Sequence, residues 1–199
     1  MLGLPSTTEV NGRIPKEAFY RNLSLNPKTR TEFVHLIESV AVANSIKPST
    51  TGIRDGMRVH EILILEVHLK GTELPTRALE AIAAANPHKI VYYIDPGEAV
   101  CVLRDGLQQT SALHSFALQG SNLDEIWDSL CAQVIFGDVD GAGLNERIAR
   151  ENLRTRLEKE VAKLDAACRR TRQIHRKNEL YNQLRQKQRE LESLNFERQ

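Results

Sequence analysis

The stretch from Leu144 to Gln199 constrains the fold more than any other part of the chain, because it contains no Gly or Pro and repeats its apolar residues at helical spacing. Leu153, Leu157, Val161, Leu164 and Cys168 recur every three or four residues and fall on one face of a helix. Leu180, Leu184, Leu191 and Leu194 do the same further on, with Tyr181 beside them. Steps of seven from Leu164 reach Thr171, Asn178 and Arg185, one residue past Leu184, so the two series share no heptad frame. Between them, Arg169, Arg170, Arg172, Arg176 and Lys177 supply five cations with no acid. The pattern predicts two helices joined at or near this basic stretch, folded back as a helical hairpin; a long coiled-coil-like helix with a register shift is the alternative. Leu153, Leu157, Leu164, Leu184 and Leu191 are expected to hold these helices together or to pair with a partner.

Charge separates this tail from the rest. Residues 144–199 hold 15 Lys and Arg against 9 Asp and Glu, a net of +6, whereas the chain as a whole is +1 and the preceding residues are therefore −5. An acidic body with a basic helical tail points the tail at nucleic acid or an acidic protein surface. A solvated helix surface carries the same kind of composition. No apolar run approaches the ~20 residues that span a bilayer, and Met1 to Thr8 has neither the basic start nor the apolar run of a signal peptide. Three widely spaced cysteines, Cys101, Cys131 and Cys168, suit a reducing compartment. The expected location is cytoplasmic.

The body, residues 1–137, reads as α/β: a small mixed β-sheet of about four strands flanked by helices. An extended lead-in runs to Pro15, which opens a short helix through Phe19 and Tyr20. Asn26-Pro27 starts a helix by capping, and Phe33, Leu36, Ile37, Val40 and Ala41 continue it at helical spacing to about Asn44. Val59 to Leu69, with the continuous Ile62-Leu63-Ile64-Leu65, is the clearest strand, of the type covered on both faces. A helix from Pro75 to Asn86 then leads to a strand at Lys89 to Ile94, long enough for a right-handed crossover and parallel pairing. Asp95 to Glu98 turns into Ala99 to Leu103 as a hairpin, and a weaker strand follows within Gln108 to Leu118. Ser121 is expected to cap a helix whose first turn carries Asp124 and Glu125 and whose buried face is Ile126, Trp127, Leu130, Val134 and Ile135. Gly137 to Gly143 is the linker to the tail.

Several chemistries are excluded by what the spacing lacks. There is no Gly-rich loop ending in Gly-Lys-Ser/Thr and no Gly-x-Gly-x-x-Gly after a strand, so ATP hydrolysis and dinucleotide chemistry are not expected. Asp138-Val139-Asp140-Gly141 fails as a calcium loop, because Ala142 and Ala149 stand where liganding side chains are needed. The six histidines and three cysteines are too scattered for a zinc site. No cofactor or metal is expected. The sharpest enzymatic alternative is a divergent metal-dependent nuclease using Asp55, Glu66 and Lys70. Nucleases of the restriction-endonuclease type place an Asp upstream of a Glu-x-Lys strand, but here His68 interrupts the motif. A half-exposed strand with alternating polar residues explains the same pattern. Against these, the density of Arg and Lys from Arg169 to Lys177 suits phosphate neutralisation without sequence readout.

Three segments carry a family likeness: Met1-Leu-Gly-Leu-Pro with Asn11-Gly-Arg-Ile-Pro-Lys-Glu-Ala-Phe-Tyr; Glu61-Ile-Leu-Ile-Leu-Glu-Val-His-Leu-Lys70; and Leu157-Glu-Lys-Glu-Val-Ala-Lys-Leu164 followed by Lys177-Asn-Glu-Leu-Tyr-Asn-Gln-Leu184. In these the chain resembles a bacterial family known as domain of unknown function 4391. The resemblance implies a small protein encoded beside a helicase and a DNA methyltransferase in restriction or phage-defence clusters; it names no catalytic residue. The expected function is a non-catalytic accessory subunit of such a system. The basic tail would bind DNA or a helicase or methyltransferase partner through Arg169, Arg170, Arg172, Arg176 and Lys177. A tail that pairs with itself in a homo-oligomer is the structural alternative.

Overall fold

The computed structural model describes residues 2–23 and 25–196. The chain divides into two compact units, Met1–Ala142 and Gly143–Gln199. The first unit is a six-stranded mixed sheet in the order β1-β2-β3-β4-β5-β6, each strand beside its neighbour in sequence. β1 (Glu9–Ile14), β2 (Ile37–Ile46) and β3 (Ile62–Leu69) pair antiparallel. Helix α4 (Thr76–Ala85) then crosses over to β4 (Lys89–Asp95), which runs parallel to β3. A crossover is what parallel pairing demands, and the expected unit is present. β5 (Ala99–Leu103) and β6 (Leu107–Thr110) finish the sheet as antiparallel hairpins.

Alternation along β3 sets the two faces. Leu65, Val67 and Leu69 enter a core with Phe33, Leu79, Ile82, Tyr92, Ile94 and Cys101. Phe33 comes from α2 (Pro27–His35), and Phe19, in the same core, from α1 (Lys16–Asn22); Leu79 and Ile82 come from α4. The Tyr92 hydroxyl, deep in this core, donates to the Leu79 carbonyl at 2.7 Å, so its burial leaves no orphan donor. On the other face Ile62, Ile64, Val91, Val100 and Val102 are also buried. Helix α5 (Leu123–Phe136), whose Leu123, Ile126, Trp127 and Leu130 are buried, packs against β5 and β6. This is why Ile62-Leu63-Ile64-Leu65 shows no polar alternation.

Three expectations change in detail. The helix that opens at Asn26 stops at His35, and Ile37–Ile46 is strand β2. Two β-bulges, between Ile37 and Ser39 and between Val42 and Asn44, break the two-residue period and leave the apolar positions at spacings that mimic a helix. Pairing on both sides, with β1 and β3, decides the outcome over local pattern. The sheet has six strands rather than about four, because the lead-in Glu9–Ile14 is an edge strand and Ile37–Ile46 lies beside it; the weak final strand is Leu107–Thr110. The cap of α5 is Asn122, whose Oδ1 accepts from Glu125 N at 3.1 Å; Ser121 instead donates its N–H and hydroxyl to the Glu125 carboxylate. The cap at Asn26 is as expected, accepting from Thr29 N at 2.9 Å with Pro27 at the first helical position. A four-residue helix, α3 (Pro48–Thr51), follows β2.

The segment between α3 and β3 is fastened by one carboxylate. Asp124 Oδ1 and Oδ2 accept from the backbone N–H of Met57 (2.8 Å), Arg58 (3.1 Å) and Val59 (2.9 Å). Partial burial raises the Asp124 pKa, but the three N–H donors and Arg58 outweigh it and hold the carboxyl below its usual range. Gly56 belongs to this fastening: a Cβ there would lie 2.6 Å from the Val59 carbonyl oxygen and 2.9 Å from Asp124 N.

The second unit is a helical hairpin of α6 (Leu144–Arg170) and α7 (Ile174–Phe196), packed on each other. Leu157, Cys168 and Leu184 are buried, while Leu153, Leu164, Leu180, Leu191 and Leu194 are partly buried. Lys187 pairs with Glu160 across the hairpin at 3.6 Å, which brings Leu157 alongside the Leu191 turn and Leu164 alongside the Leu184 turn. The expected hairpin is present and the single long helix is not, because the chain breaks at Thr171–Gln173, between two apolar series that share no frame.

Candidate nucleic-acid interface

The basic stretch straddles the hairpin turn. Arg169 and Arg170 form the last turn of α6, where cations complement the negative end of the helix dipole. Arg169 is held by Asp165 one turn back, at 2.7 Å. Thr171 closes α6 by donating both its N–H (3.1 Å) and its hydroxyl (2.9 Å) to the Ala167 carbonyl. After Arg172 and Gln173, α7 begins at Ile174, and its first turn holds His175, Arg176 and Lys177 with no acid. His175 faces Glu179 at 3.3 Å. All residues from Arg172 to Glu179 are exposed.

Two electrostatic features describe this turn. The side chains of Arg170, Arg172, Arg176 and Lys177 make no ion pair or hydrogen bond among the described residues. Cations also crowd the N-terminus of α7, the positive end of its dipole, where acids would stabilise the helix. Elsewhere in the hairpin Arg154 pairs with Glu151 (2.6 Å) and Glu158 (3.6 Å). Arg150, Arg156, Lys159, Lys163 and Arg189 also make no ion pair among the described residues, so clustering at the turn is what sets its cations apart. A field built from four unpaired cations and the free N–H groups of a helix start attracts polyanions, phosphodiester backbones above all.

The nuclease constellation is not assembled. Asp55 sits before β3 and pairs with His60 at 2.9 Å, whereas Glu66 lies about 13 Å further along the strand from Ile62. Lys70 lies past the end of β3 and donates its ammonium to the Val34 carbonyl at 2.8 Å, at the end of α2 on the opposite face from Glu66. Burial, with Lys70 next to it, lowers the pKa of Lys16, whose ammonium caps the Ile37 carbonyl nearby. The partner of Glu66 is instead His68 (3.7 Å), whose Nδ1 meets Asp95 Oδ2 at 2.7 Å. These three line up across the β3–β4 register, beside an open depression of about 460 Å³ that Arg13, Ser39, Glu66 and His68 help to line. Sequence reading missed this cluster because Asp95 is 27 residues from His68 and only parallel pairing joins them. Among the described residues no group of three or more His, Cys, Asp or Glu is arranged to hold a metal ion. The three cysteines are free and buried, and burial pushes the Cys101 and Cys131 thiols up to about 12, which keeps them protonated and unreactive.

No described helix is long and apolar enough to cross a membrane. A family model described as a domain of unknown function (DUF4391) matches residues 2–114 and 103–191. Neither the curated proteins nor the solved structures contain a match to the chain.

Proposed function

The chain belongs to the DUF4391 family, and from that premise we propose that it is a non-catalytic accessory subunit of a bacterial DNA-restriction or phage-defence assembly. It acts in the cytoplasm, in keeping with three free thiols. Its basic hairpin turn engages DNA, or the acidic surface of a helicase or DNA methyltransferase of the same system. The observation that carries this reading is the clustering of four unpartnered cations at the hairpin turn: Arg170 at the end of α6, Arg172 between the helices, and Arg176 and Lys177 at the positive end of α7. Arg169 adds charge but is already shared with Asp165.

The test is a pull-down from the host with tagged full-length protein, with and without nuclease treatment. A parallel sample carries Arg169, Arg170, Arg172, Arg176 and Lys177 changed to Ala. Recovery of a helicase or methyltransferase that survives nuclease and is lost in the variant supports a protein-bridged contact at the turn. Nuclease-sensitive recovery that is lost in the variant supports DNA as the ligand. Recovery of neither sinks the accessory reading. A mass that rises with concentration and falls to that of one chain when residues 144–199 are removed would assign the tail to self-pairing.

A further inference from the structure

The face of α7 that starts at the turn carries more than charge. Ile174, Lys177, Tyr181 and Arg185 are spaced by three, four and four residues, so they form one stripe along the helix. All four are exposed, and Ile174 at 79% and Tyr181 at 49% are the two large hydrophobics that the hairpin leaves open among the described residues. The Arg185 guanidinium lies over the exposed Tyr181 ring at 5.2 Å. Neither Ile174 nor Tyr181 belongs to the seam of Leu180, Leu184 and Leu191 that faces α6.

We propose that this stripe is a DNA-distorting surface, with Ile174 inserting as an apolar wedge at a base step of double-stranded DNA while Lys177, Tyr181 and Arg185 lie along the adjoining backbone. This rests on the nucleic-acid reading of the turn and specifies how the contact is made. Apolar wedges flanked by cations are how proteins unstack and kink a duplex. An isoleucine set at the first position of a helix, with Arg172, Arg176 and Lys177 around it, has that composition. The dimensions agree: seven residues from Ile174 to Tyr181 span about 10 Å of helix, and three base-pair steps rise by about the same length. The charge round the wedge favours a phosphodiester over a neutral partner.

The experiment uses full-length protein and a duplex oligonucleotide with 2-aminopurine at a central step, whose fluorescence rises when it is unstacked. Wild type is expected to raise the signal. Ile174→Ala is expected to abolish the rise and weaken binding by about tenfold, the worth of the lost apolar contact, with the salt dependence unchanged because no charge is removed. Lys177→Ala should do the reverse, making the salt dependence shallower by about one unit of slope. Ile174→Leu should restore the fluorescence rise. Because Ile174 is exposed, the alanine variant has no core contact to lose, and an unchanged circular dichroism spectrum verifies this. Tight binding without a fluorescence rise, or a rise that survives in Ile174→Ala, overturns the wedge but leaves the basic turn as a DNA contact. Absence of duplex binding at low salt overturns both. In that case, binding to mixed phosphatidylcholine–phosphatidylserine vesicles that Ile174→Ala removes would make the stripe a membrane contact.

Discussion

At the scale of single residues, the charges of the turn make opposite demands on stability and on binding. Arg176 and Lys177 stand at the positive end of the α7 dipole, so changing each to Glu is expected to stabilise the hairpin by about 0.3–1 kcal/mol while weakening DNA or partner binding. Arg170 stands at the negative end of α6, so Arg170→Glu is expected to destabilise by a similar amount and also to weaken binding. Thermal melts of the three variants, set beside polyanion binding, check the signs. A surface that served solubility alone would show no binding loss. Asp124 gives a second prediction. Its carboxyl is held below the usual range by three backbone N–H groups, so its contribution is complete above the unfolded pKa of about 3.9 and is lost as pH falls through the lowered folded value. Asp124→Asn should cost about 2 kcal/mol at neutral pH, and the gap from wild type should close on acidification. Urea titrations followed by the single tryptophan, Trp127 on the same helix, report it.

At the scale of elements, what the sequence made legible follows from how local the determining physics is. The Asn26-Pro27 helix start, the β3–α4–β4 crossover, the Asp95–Glu98 turn and the break between α6 and α7 depend on caps, breakers and short-range periodicity, and all are present. Strand β2 was hidden because its bulges are set by partners on either side, not by its own pattern. Edge strand β1 was hidden for a different reason: its exposed residues carry almost no apolar signal. At the candidate interface, composition alone disclosed the five cations. Which of them is neutralised, and that Ile174 points to water, depend on where the helix restarts. The hairpin seam offers its own prediction. Leu157 and Leu184 are buried, so each change to Ala should cost about 2–5 kcal/mol, whereas partly buried Leu191 should cost less. Hydrogen exchange should then quicken throughout α6 and α7 while the amides of β3 and β4 keep their protection; quickening in the sheet would show that the two units unfold as one.

At the scale of the whole molecule, charge and core are distributed differently. Each unit has buried apolar residues of its own: the sheet with α1, α2, α4 and α5 in one, and the Leu157–Leu184 seam in the other. The net charges are opposed, +6 over residues 144–199 and −5 before them. A body with an acidic balance repels a phosphate backbone, so its presence weakens the overall attraction even though the turn itself is basic. A chain ended after Ala142 is expected to keep the sheet and the fluorescence of Trp127, because the sheet has a core of its own. The same truncated chain should lose all retention on a polyanion column. Full-length protein should be retained and elute at moderate salt, because about four unpaired cations give a steep dependence, a slope near 4 in log affinity against log salt. Retention of the truncated chain would move the binding surface to the body, where Arg13 lines the open depression on the sheet. Loss of the sheet on truncation would instead make the hairpin part of the body's fold, and the basic turn would then have to be tested by substitution alone.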